Sequence, residues 1–333
     1  MAADDKFGPA PSPDPVVRQS RAFMESRVLL TAAELDLFTE LAREPRSAAG
    51  LAQARRWQVR PLTVVLDALA AMALLEKRGD NYCCPPDVAA RLAAGGPDSL
   101  LASVLHAADL WEKWSGLTAL VAGGTPGAPA RLDYISAFIG AMDVTARPLA
   151  PRVVAAVRAE RATRLLDLGG ASGTYTLAFL EAVPGLRATL FDLADVITLA
   201  RERLTAAGCI GRVTLVAGNY LTDPLPGGHD LAWLSAVIHS NGPEENLALY
   251  GKVWGALVPG GRILIRDHVM SEDRTAPRAG ALFAINMLVA TRSGRTYTFR
   301  EIADALVAAG FGEVRLIQSG EAMDALVEAR KPA

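Results

Sequence analysis

The spacing of hydrophobic residues changes near residue 150 of this 333-residue chain. Before that point, apolar residues recur every three or four positions, which predicts one helix after another. After it, short apolar runs alternate with helical runs, which is typical of repeated strand–helix units. The pattern predicts two domains, over residues 16–150 and 151–333, behind a disordered tail at residues 1–15 that is acidic and rich in proline.

The first domain has the element order of a winged helix. Apolar residues predict a helical run over residues 23–38, Ser47 is a suitable N-cap for a second helix, and Pro61 suits the first turn of a third. Residues 76–82 predict a hairpin around a Gly-Asp-Asn turn. The third helix begins at Arg60 but otherwise carries few side chains that read bases or bind phosphates, so DNA binding is the weaker hypothesis. A large apolar helical surface instead favours dimerisation.

The pattern of apolar runs in the second domain predicts a parallel, doubly wound sheet. Its five apolar runs, each followed by a helical run or a turn, cover residues 164–168, 188–193, 213–217, 230–237 and 262–267. Residues 312–318 and 323–329 close the chain as a pair of antiparallel strands. In such α/β sheets, ligands bind outside the carboxyl ends of the strands.

Composition and charge exclude several classes of protein. Hydrophobic residues make up 51% of the chain and the mean hydropathy is +0.21, yet no run of 18 uncharged apolar residues occurs, so we expect no membrane-spanning helix. A net charge of −2 does not favour nucleic acid or an anionic membrane as partner. Cys83, Cys84 and Cys209 fit a reduced cytoplasm, and their spacing predicts no zinc site.

A glycine-rich segment follows the first predicted strand of the second domain. Asp167 precedes Gly169, Gly170 and Gly173, and Asp192 ends the next strand, 19 residues after Gly173. Glycines allow a sharp turn and a close approach to a ligand, and the downstream acid is placed for both ribose hydroxyls. An aspartate before the first glycine repels phosphate and suits an ammonium or sulfonium group. The segment therefore favours S-adenosylmethionine (SAM) over NAD, and a plain tight turn is the alternative.

Seven segments of the chain together resemble the SAM-dependent small-molecule O-methyltransferases of the plant caffeic-acid and acetylserotonin type, which also occur in bacteria. The segments span nearly the whole chain and read RVLLTAAELDLF, LLDLGGASGTYT, LFDLADVI, VAGNYLTDPLP, WLSAVIHS, LVPGGRILIRDHVM and TFREIADALVAAGF. The resemblance implies a Rossmann-like class I methyltransferase sheet of seven strands, the last pair antiparallel, behind an all-α winged-helix-like dimerisation domain. It also implies a homodimeric enzyme of secondary metabolism that needs no metal.

The resemblance assigns the cofactor-binding residues by position. Asp167 and the three glycines match the first SAM motif, and Asp192 matches the acid that binds the ribose. Asn219 and Tyr220 stand where the family usually has an aspartate followed by Met or Phe against the adenine. An asparagine still offers an amide oxygen to the adenine amino group.

The resemblance also implies a catalytic histidine with two acids. His239 matches the histidine at the end of the fourth strand, and Asp267 and Glu301 match the acids that flank it. In the family an Asp-Trp pair commonly follows the histidine, whereas Ser240–Asn241 follows it here. His268 adjoins Asp267 and is expected on the opposite face of the strand, in a structural role.

Histidine suits the deprotonation of a phenol. A phenol has a pKa near 10 and must lose its proton as it attacks the sulfonium methyl, and a histidine side chain ordinarily titrates near neutral pH. A carboxylate on the other ring nitrogen fixes the tautomer and stabilises the imidazolium. Holding the nucleophile in line with the methyl group supplies much of the acceleration.

Residues 279–290 predict a helix beside the acceptor, and Phe283, Asn286 and Met287 share one face of it. Core packing explains this face equally well. Two further functions remain open at this level: transfer to nitrogen, sulfur or carbon (or no transfer at all), and a winged-helix regulator that senses SAM or a metabolite.

Overall fold

The structure is a computed structural model that describes residues 14–96, 98–125 and 134–333, with side chains in the last range described from Phe138 onward. The predicted tail at residues 1–15 lies almost wholly outside the described residues. The chain forms two compact units, residues 1–108 and 109–333.

The first unit is helical with a small antiparallel sheet. Its elements are α1 (Pro15–Arg21), α2 (Phe23–Glu34), α3 (Leu37–Arg43), β1 (Arg46–Ser47), α4 (Ala48–Arg55), α5 (Val59–Ala71), β2 (Glu76–Arg78), β3 (Asn81–Cys83), α6 (Pro86–Leu92) and the start of α7 (Leu101–Ser115). The strands pair in the order β1-β3-β2. Helices followed by the β2–β3 hairpin confirm the winged-helix-like layout.

Local sequence explains where these helices begin and end. The Ser47 hydroxyl accepts a hydrogen bond from the backbone N–H of Gly50 at 3.1 Å and so caps α4 as predicted. The helical run predicted over residues 23–38 is divided in two, because Asp36 adopts a left-handed backbone with φ of 56°. That break lets Phe38, which is 1% exposed, enter the core of the unit.

Two adjacent cysteines lie at the end of the hairpin as free thiols: Cys83 is the last residue of β3, and Cys84 follows it. Cys84 is buried among apolar residues of the first unit, and burial raises the pKa of its thiol to about 11. A thiol that stays protonated near neutral pH is a poor nucleophile and a poor metal ligand. The structure therefore supports the interpretation of this residue as a small core side chain.

The second unit is built on one large sheet. After α7 come α8 (Leu117–Val121), α9 (Tyr134–Ala146), α10 (Ala150–Val157), β4 (Arg164–Leu168), α11 (Thr174–Ala182), β5 (Arg187–Asp192), α12 (Ala194–Ala206), β6 (Val213–Ala217), β7 (His229–Ser235), α13 (Pro243–Ala256), β8 (Leu257–Asp267), β9 (Val269–Met270), α14 (Arg278–Ala290), β10 (Tyr297–Thr298), α15 (Phe299–Ala308), β11 (Gly312–Gln318) and β12 (Ala325–Arg330). Two short 3-10 helices cover Ile210–Arg212 and Ile238–Ser240. Within the described ranges, no helix is both long and apolar enough to span a membrane.

The order of the seven strands in the large sheet is β11-β12-β8-β7-β4-β5-β6. Strands β4 to β8 are parallel, and β12 pairs antiparallel with both β8 and β11, which confirms the predicted Rossmann-like sheet. The chain runs outward from β4 through β5 to β6, and then returns to place β7 on the other side of β4. The carboxyl ends of β4 and β7 therefore form the topological switch point, where open α/β sheets bind ligands.

Both faces of the sheet are buried, which explains why its strands are apolar without alternation. Leu166 and Leu234 pack on one face with residues of α13 and α15. Leu165 and Trp233 pack on the other face with residues of α10 and α11, including Phe179.

The boundary between the two units lies earlier than the sequence predicted. A boundary at residue 150 was expected, but α9 already belongs to the second unit. Asp143 in α9 accepts a hydrogen bond from the Thr174 hydroxyl at 2.6 Å and forms an ion pair with Arg203. Helical periodicity is the same on both sides of residue 108, so it carried no sign of this division.

Helix α5 provides a matched test of the core of the first unit. Leu66 is fully buried, whereas Val64, two residues earlier, is 63% exposed. Leu66→Ala should lower the free energy of unfolding by about 3 kcal/mol, because it leaves a cavity. Val64→Ala should change it by less than about 0.5 kcal/mol. Urea unfolding followed by circular dichroism measures both, and equal effects would contradict the assignment of this core.

Candidate active site

The glycine-rich loop after β4 forms the tight approach that the sequence predicted. Gly169 and Gly173 have φ of 68° and 82°, which glycine adopts without strain. A Cβ on Gly170 would lie 2.6 Å from the Leu190 side chain, and one on Gly169 would lie 2.9 Å from Val237. The backbone thus has no room for a side chain at Gly169 or Gly170, and the loop leads directly into the N-terminus of α11.

Asp167, in β4 just before this loop, is a buried acid. It is 2% exposed, and its carboxylate accepts a hydrogen bond from the Thr176 hydroxyl at 2.5 Å. Burial raises the pKa of this carboxyl to about 7, and the charge of Asp192 adds to the effect. A nearby cation would stabilise the ionised form. Asp167 and the glycine loop therefore fit the cationic end of SAM.

Asp192, the last residue of β5, is hydrogen-bonded to the loop that follows β4. Its two carboxylate oxygens accept hydrogen bonds from the backbone N–H groups of Ala171, at 2.8 Å, and Leu193, at 2.7 Å. Burial raises its pKa, and these backbone donors oppose the shift. A carboxylate oxygen can accept more than one hydrogen bond, so the remaining lone pairs fit ribose hydroxyls.

In the segment after β6, Asn219 is exposed and Tyr220 is half-buried. The Asn219 side-chain oxygen accepts the backbone N–H of Leu221 at 2.9 Å, which shapes the turn. Burial raises the pKa of the half-buried Tyr220, whose hydroxyl donates to the Asn241 side-chain oxygen at 3.4 Å. This contact links the segment expected to bind adenine to the loop that carries His239.

His239 and Asp267 meet at the ends of neighbouring strands. His239 lies in the 3-10 helix Ile238–Ser240 after β7 and is 7% exposed, and Asp267 ends β8 and is 1% exposed. Nδ1 of the imidazole lies 2.9 Å from both Asp267 carboxylate oxygens. Because a carboxylate only accepts, Nδ1 carries the proton and Nε2 keeps its lone pair. The pair has the arrangement of a base with its orienting acid.

Two hydrogen bonds hold the backbone around His239. The Asn246 side chain donates to the Ile238 carbonyl at 2.8 Å, and the Arg295 N–H donates to the His239 carbonyl at 2.8 Å. A Cβ on Gly294 would lie 2.6 Å from that His239 carbonyl oxygen, so only glycine fits there. The position of the imidazole is therefore set by its backbone as well as by Asp267.

Asn241, which stands where the family commonly has tryptophan, connects the same loop to its surroundings. It is 2% exposed, its side-chain N–H donates to Asn246 at 3.0 Å, and its carbonyl accepts the Tyr297 hydroxyl at 2.6 Å. In the sequence, Ser240–Asn241 is only a departure from the family pattern. The structure shows that the Asn241 amide holds this loop by hydrogen bonds, a role that the residue type allows.

The structure does not bring Glu301 to His239. Glu301 is the third residue of α15, where one carboxylate oxygen accepts the backbone N–H of Thr298 at 2.8 Å in a capping box. The other oxygen accepts from Arg274 at 2.5 Å. In the part of the chain that the structure describes, no hydrogen bond joins Glu301 to the imidazole. The expected pair of flanking acids is reduced to Asp267.

Phe283 packs against two histidines. Its ring centroid lies 4.7 Å from that of His239 in an edge-to-face arrangement, and 5.0 Å from that of His268. His268 was expected on the far face of the strand, but β8 ends at Asp267, so the alternation does not extend to it. Burial lowers the pKa of His268, and a neutral ring therefore lies beside the candidate base.

The other two residues of the α14 face also point inward. The Asn286 side-chain oxygen accepts the indole N–H of Trp114 at 3.2 Å, and Met287 is 6% exposed. Phe283, Asn286 and Met287 thus form an inward face of α14, with Phe283 against the candidate base.

Comparison with protein families agrees with this geometry. Residues 100–312 match the model of an O-methyltransferase domain, and residues 17–92 match that of an O-methyltransferase dimerisation domain.

The chain is also similar to individual proteins over almost its whole length. It is 32% identical to the tetracenomycin polyketide synthesis 8-O-methyl transferase TcmO of Streptomyces glaucescens, over 96% of this chain and 97% of that protein. It is 32% identical to the 3-hydroxy-5-methyl-1-naphthoate 3-O-methyltransferase of Streptomyces sahachiroi, over 96% of each. The solved structure of PigF with SAH superposes with a TM-score of 0.85, at 26% identity, over 96% of this chain and all of that one; PigF comes from a Serratia species.

Asp167 makes a testable contribution to stability. Its pKa is about 7 in the folded chain against 3.8 for an ordinary aspartate, so folding favours the protonated form. Charging it destabilises the fold, a penalty that is absent below about pH 4, grows as pH rises, and is complete above about pH 7. Asp167→Asn should therefore stabilise the ligand-free protein more at pH 8 than at pH 5, by about 2 to 3 kcal/mol.

Thermal and urea unfolding at the two pH values measure this difference. Asp195→Asn, at an exposed aspartate in α12, is the matched control and should change stability little at either pH. An Asp167→Asn variant whose stabilisation is equal at pH 5 and pH 8 would contradict the raised pKa.

Proposed function

The chain belongs to the O-methyltransferase family that has an N-terminal dimerisation domain, and we propose that it methylates a hydroxyl of a small aromatic metabolite with His239 as the general base. It is a SAM-dependent O-methyltransferase, like the named relatives that match it over almost their whole length. The observation that carries the proposed mechanism is the contact between His239 Nδ1 and Asp267, at 2.9 Å.

The chemistry follows from the tautomer that Asp267 imposes. SAM, when bound, supplies a methyl group on a positively charged sulfur. His239 Nε2, with its lone pair free, accepts the proton of the acceptor hydroxyl while the hydroxyl oxygen bonds to the methyl carbon and the carbon–sulfur bond breaks. Asp267 stabilises the imidazolium that results. The products are a methyl ether, SAH and a proton, which leaves His239 for solvent.

The cofactor-binding roles follow from the geometry of the sheet edge. Gly169, Gly170 and Gly173 let the backbone approach SAM closely, and Asp167 faces its cationic end. Asp192 accepts the ribose hydroxyls. The turn at Asn219 and Tyr220 lies one strand further along the same edge, and we assign it to the adenine.

The acceptor lies against Phe283, Asn286 and Met287 in this proposal. An aromatic ring provides flat apolar surface for an aromatic acceptor, and Phe283 already contacts His239. The naphthoate methylated by the relative from Streptomyces sahachiroi is an acceptor of this class. The hydroxyl of such a ring would then lie next to the imidazole.

Glu301 has a positioning role in the proposal. Through Thr298 it caps α15, and through Arg274 it holds the segment between β9 and α14. These contacts stabilise the elements around the site without touching the imidazole.

The proposed assembly is a homodimer. Residues 17–92 match a dimerisation domain, and dimers with twofold symmetry are the commonest soluble oligomers. A reducing compartment such as the cytoplasm fits Cys83, Cys84 and Cys209, which are all free thiols.

His239→Ala should lower kcat by about two to four orders of magnitude, because general-base catalysis contributes on that scale. Asp267→Asn should also lower kcat strongly, since the wrong tautomer is then favoured. Mass spectrometry with a panel of phenols, catechols and hydroxynaphthoates measures the methyl transfer. Calorimetry with SAH should show unchanged affinity for the His239 variant. Turnover by His239→Ala equal to that of the unmodified enzyme would remove the general-base assignment.

Glu301→Gln tests whether one acid, Asp267, acts on His239 or whether Glu301 acts on it as well. A glutamine keeps a side-chain oxygen for the capping box but weakens the ion pair with Arg274. We expect kcat to change by less than about threefold, with a measurable loss of thermal stability from the weakened contact. A loss of kcat as large as that of Asp267→Asn would show that Glu301 acts on the histidine.

A further inference from the structure

Arg266 is a buried arginine beside the catalytic pair. It precedes Asp267 at the end of β8, and it is 4% exposed. Adjacent strand residues project to opposite faces of a sheet, so the side chains of Arg266 and Asp267 lie on opposite faces. The Arg266 guanidinium donates to the Ser235 hydroxyl at 3.0 Å and lies 5.2 Å from the centroid of the Tyr175 ring.

This guanidinium has no anionic partner among the described residues. Nε of Arg266 is buried and makes no hydrogen bond. Arginine does not lose its proton in proteins, so the charge remains. A buried charge without a counter-charge is strongly unfavourable. With one hydrogen bond to Ser235 and Nε unpaired, this charge lacks a full set of acceptors.

The carboxylates in this region are engaged elsewhere. Asp267 binds the imidazole, and Asp167 accepts from Thr176. Asp324, at the start of the neighbouring strand, forms an ion pair with Arg152 at 3.4 Å. None of the three has a hydrogen bond or ion pair with Arg266 in the described part of the chain.

The sheet places Arg266 on the same face as Asp167. Asp167 in β4 pairs with Trp233 in β7, and Arg266 in β8 pairs with Ser235, two residues further along β7. All four side chains therefore project from the same face. The acid and the guanidinium lie two strands apart, about 10 Å between strand axes, at the edge where the glycine loop begins. Tyr175, in the first turn of α11 after that loop, lies at the guanidinium.

We propose that Arg266, with Tyr175 and Ser235, forms a carboxylate-binding site that holds the methionine carboxylate of SAM, while Asp167 faces the ammonium group of the same methionine. A positive and a negative side chain on one face match the zwitterion at that end of the cofactor. The inference rests on the proposed function, since it needs SAM at the glycine loop. The alternative occupant of this site is a carboxylate group on the methyl acceptor, and the experiment below distinguishes the two.

Calorimetry with cofactor analogues tests the site without turnover. The unmodified enzyme should bind SAM about tenfold to a hundredfold more tightly than decarboxylated SAM, which lacks only the carboxylate. Arg266→Met keeps the length of the side chain without its charge, and it should bind the two within about threefold of each other. Arg164→Met, at the exposed opposite end of β4, is the control and should keep the discrimination of the unmodified enzyme.

Three results would overturn the inference, and each is distinct. If the unmodified enzyme does not bind SAM, the proposed function itself fails. If Arg266→Met still prefers SAM to its decarboxylated analogue, Arg266 does not hold the carboxylate. If the variant instead loses discrimination between 1-naphthoic acid derivatives and the matching naphthols in the presence of SAH, the carboxylate belongs to the acceptor and the assignment to SAM is wrong.

A thermal melt confirms that the variant is folded and adds a second readout. Without ligand, Arg266→Met should melt at least as high as the unmodified enzyme, since it removes an unpaired buried charge. A saturating concentration of SAM should raise the melting temperature of the variant by less than that of the unmodified enzyme. Equal increases in the two proteins would contradict the site.

Discussion

The contact between His239 and Asp267 joins the ends of two neighbouring parallel strands, and the proposed chemistry depends on it. The register of β7 with β8 ends at Ser235 and Arg266, and a short 3-10 helix after β7 then brings His239 to Asp267, the last residue of β8. A carboxylate held at Nδ1 leaves only Nε2 able to take a proton. The surrounding contacts, from Asn246 to the Ile238 carbonyl and from Arg295 to the His239 carbonyl, hold the backbone that carries the imidazole.

The remaining functional residues depend on the order of the strands. Because the order in which strands are added to the sheet reverses at β4, the glycine loop and the His239 loop follow adjacent strands at one edge. Two buried charged side chains, Asp167 and Arg266, project from that edge on one face of the sheet, and each is unfavourable without a ligand. In the proposed carboxylate-binding site, a zwitterionic ligand would pair with both.

Much of this arrangement follows from the sequence, for identifiable reasons. The strands are apolar because both faces are covered, and the glycines stand where φ is positive or a Cβ would collide, so pattern alone locates β4 and its loop.

The roles of Glu301 and His268 are harder to predict because they depend on which way a side chain turns. A carboxylate at the third position of a helix is equally suited to a capping box. The alternation of faces stops where β8 ends. Arg266 drew no attention in the sequence, since a charged residue at a strand end is expected in solvent, and only its burial reveals it.

The most direct test of the account is a crystal structure with SAH and a methyl acceptor bound together. The account predicts that the acceptor hydroxyl oxygen lies within about 2.6 to 3.2 Å of His239 Nε2, in line with the sulfur of SAH. An acceptor whose hydroxyl lies beyond hydrogen-bonding distance of His239, or against Glu301 instead, would contradict the assignment of His239 as the base.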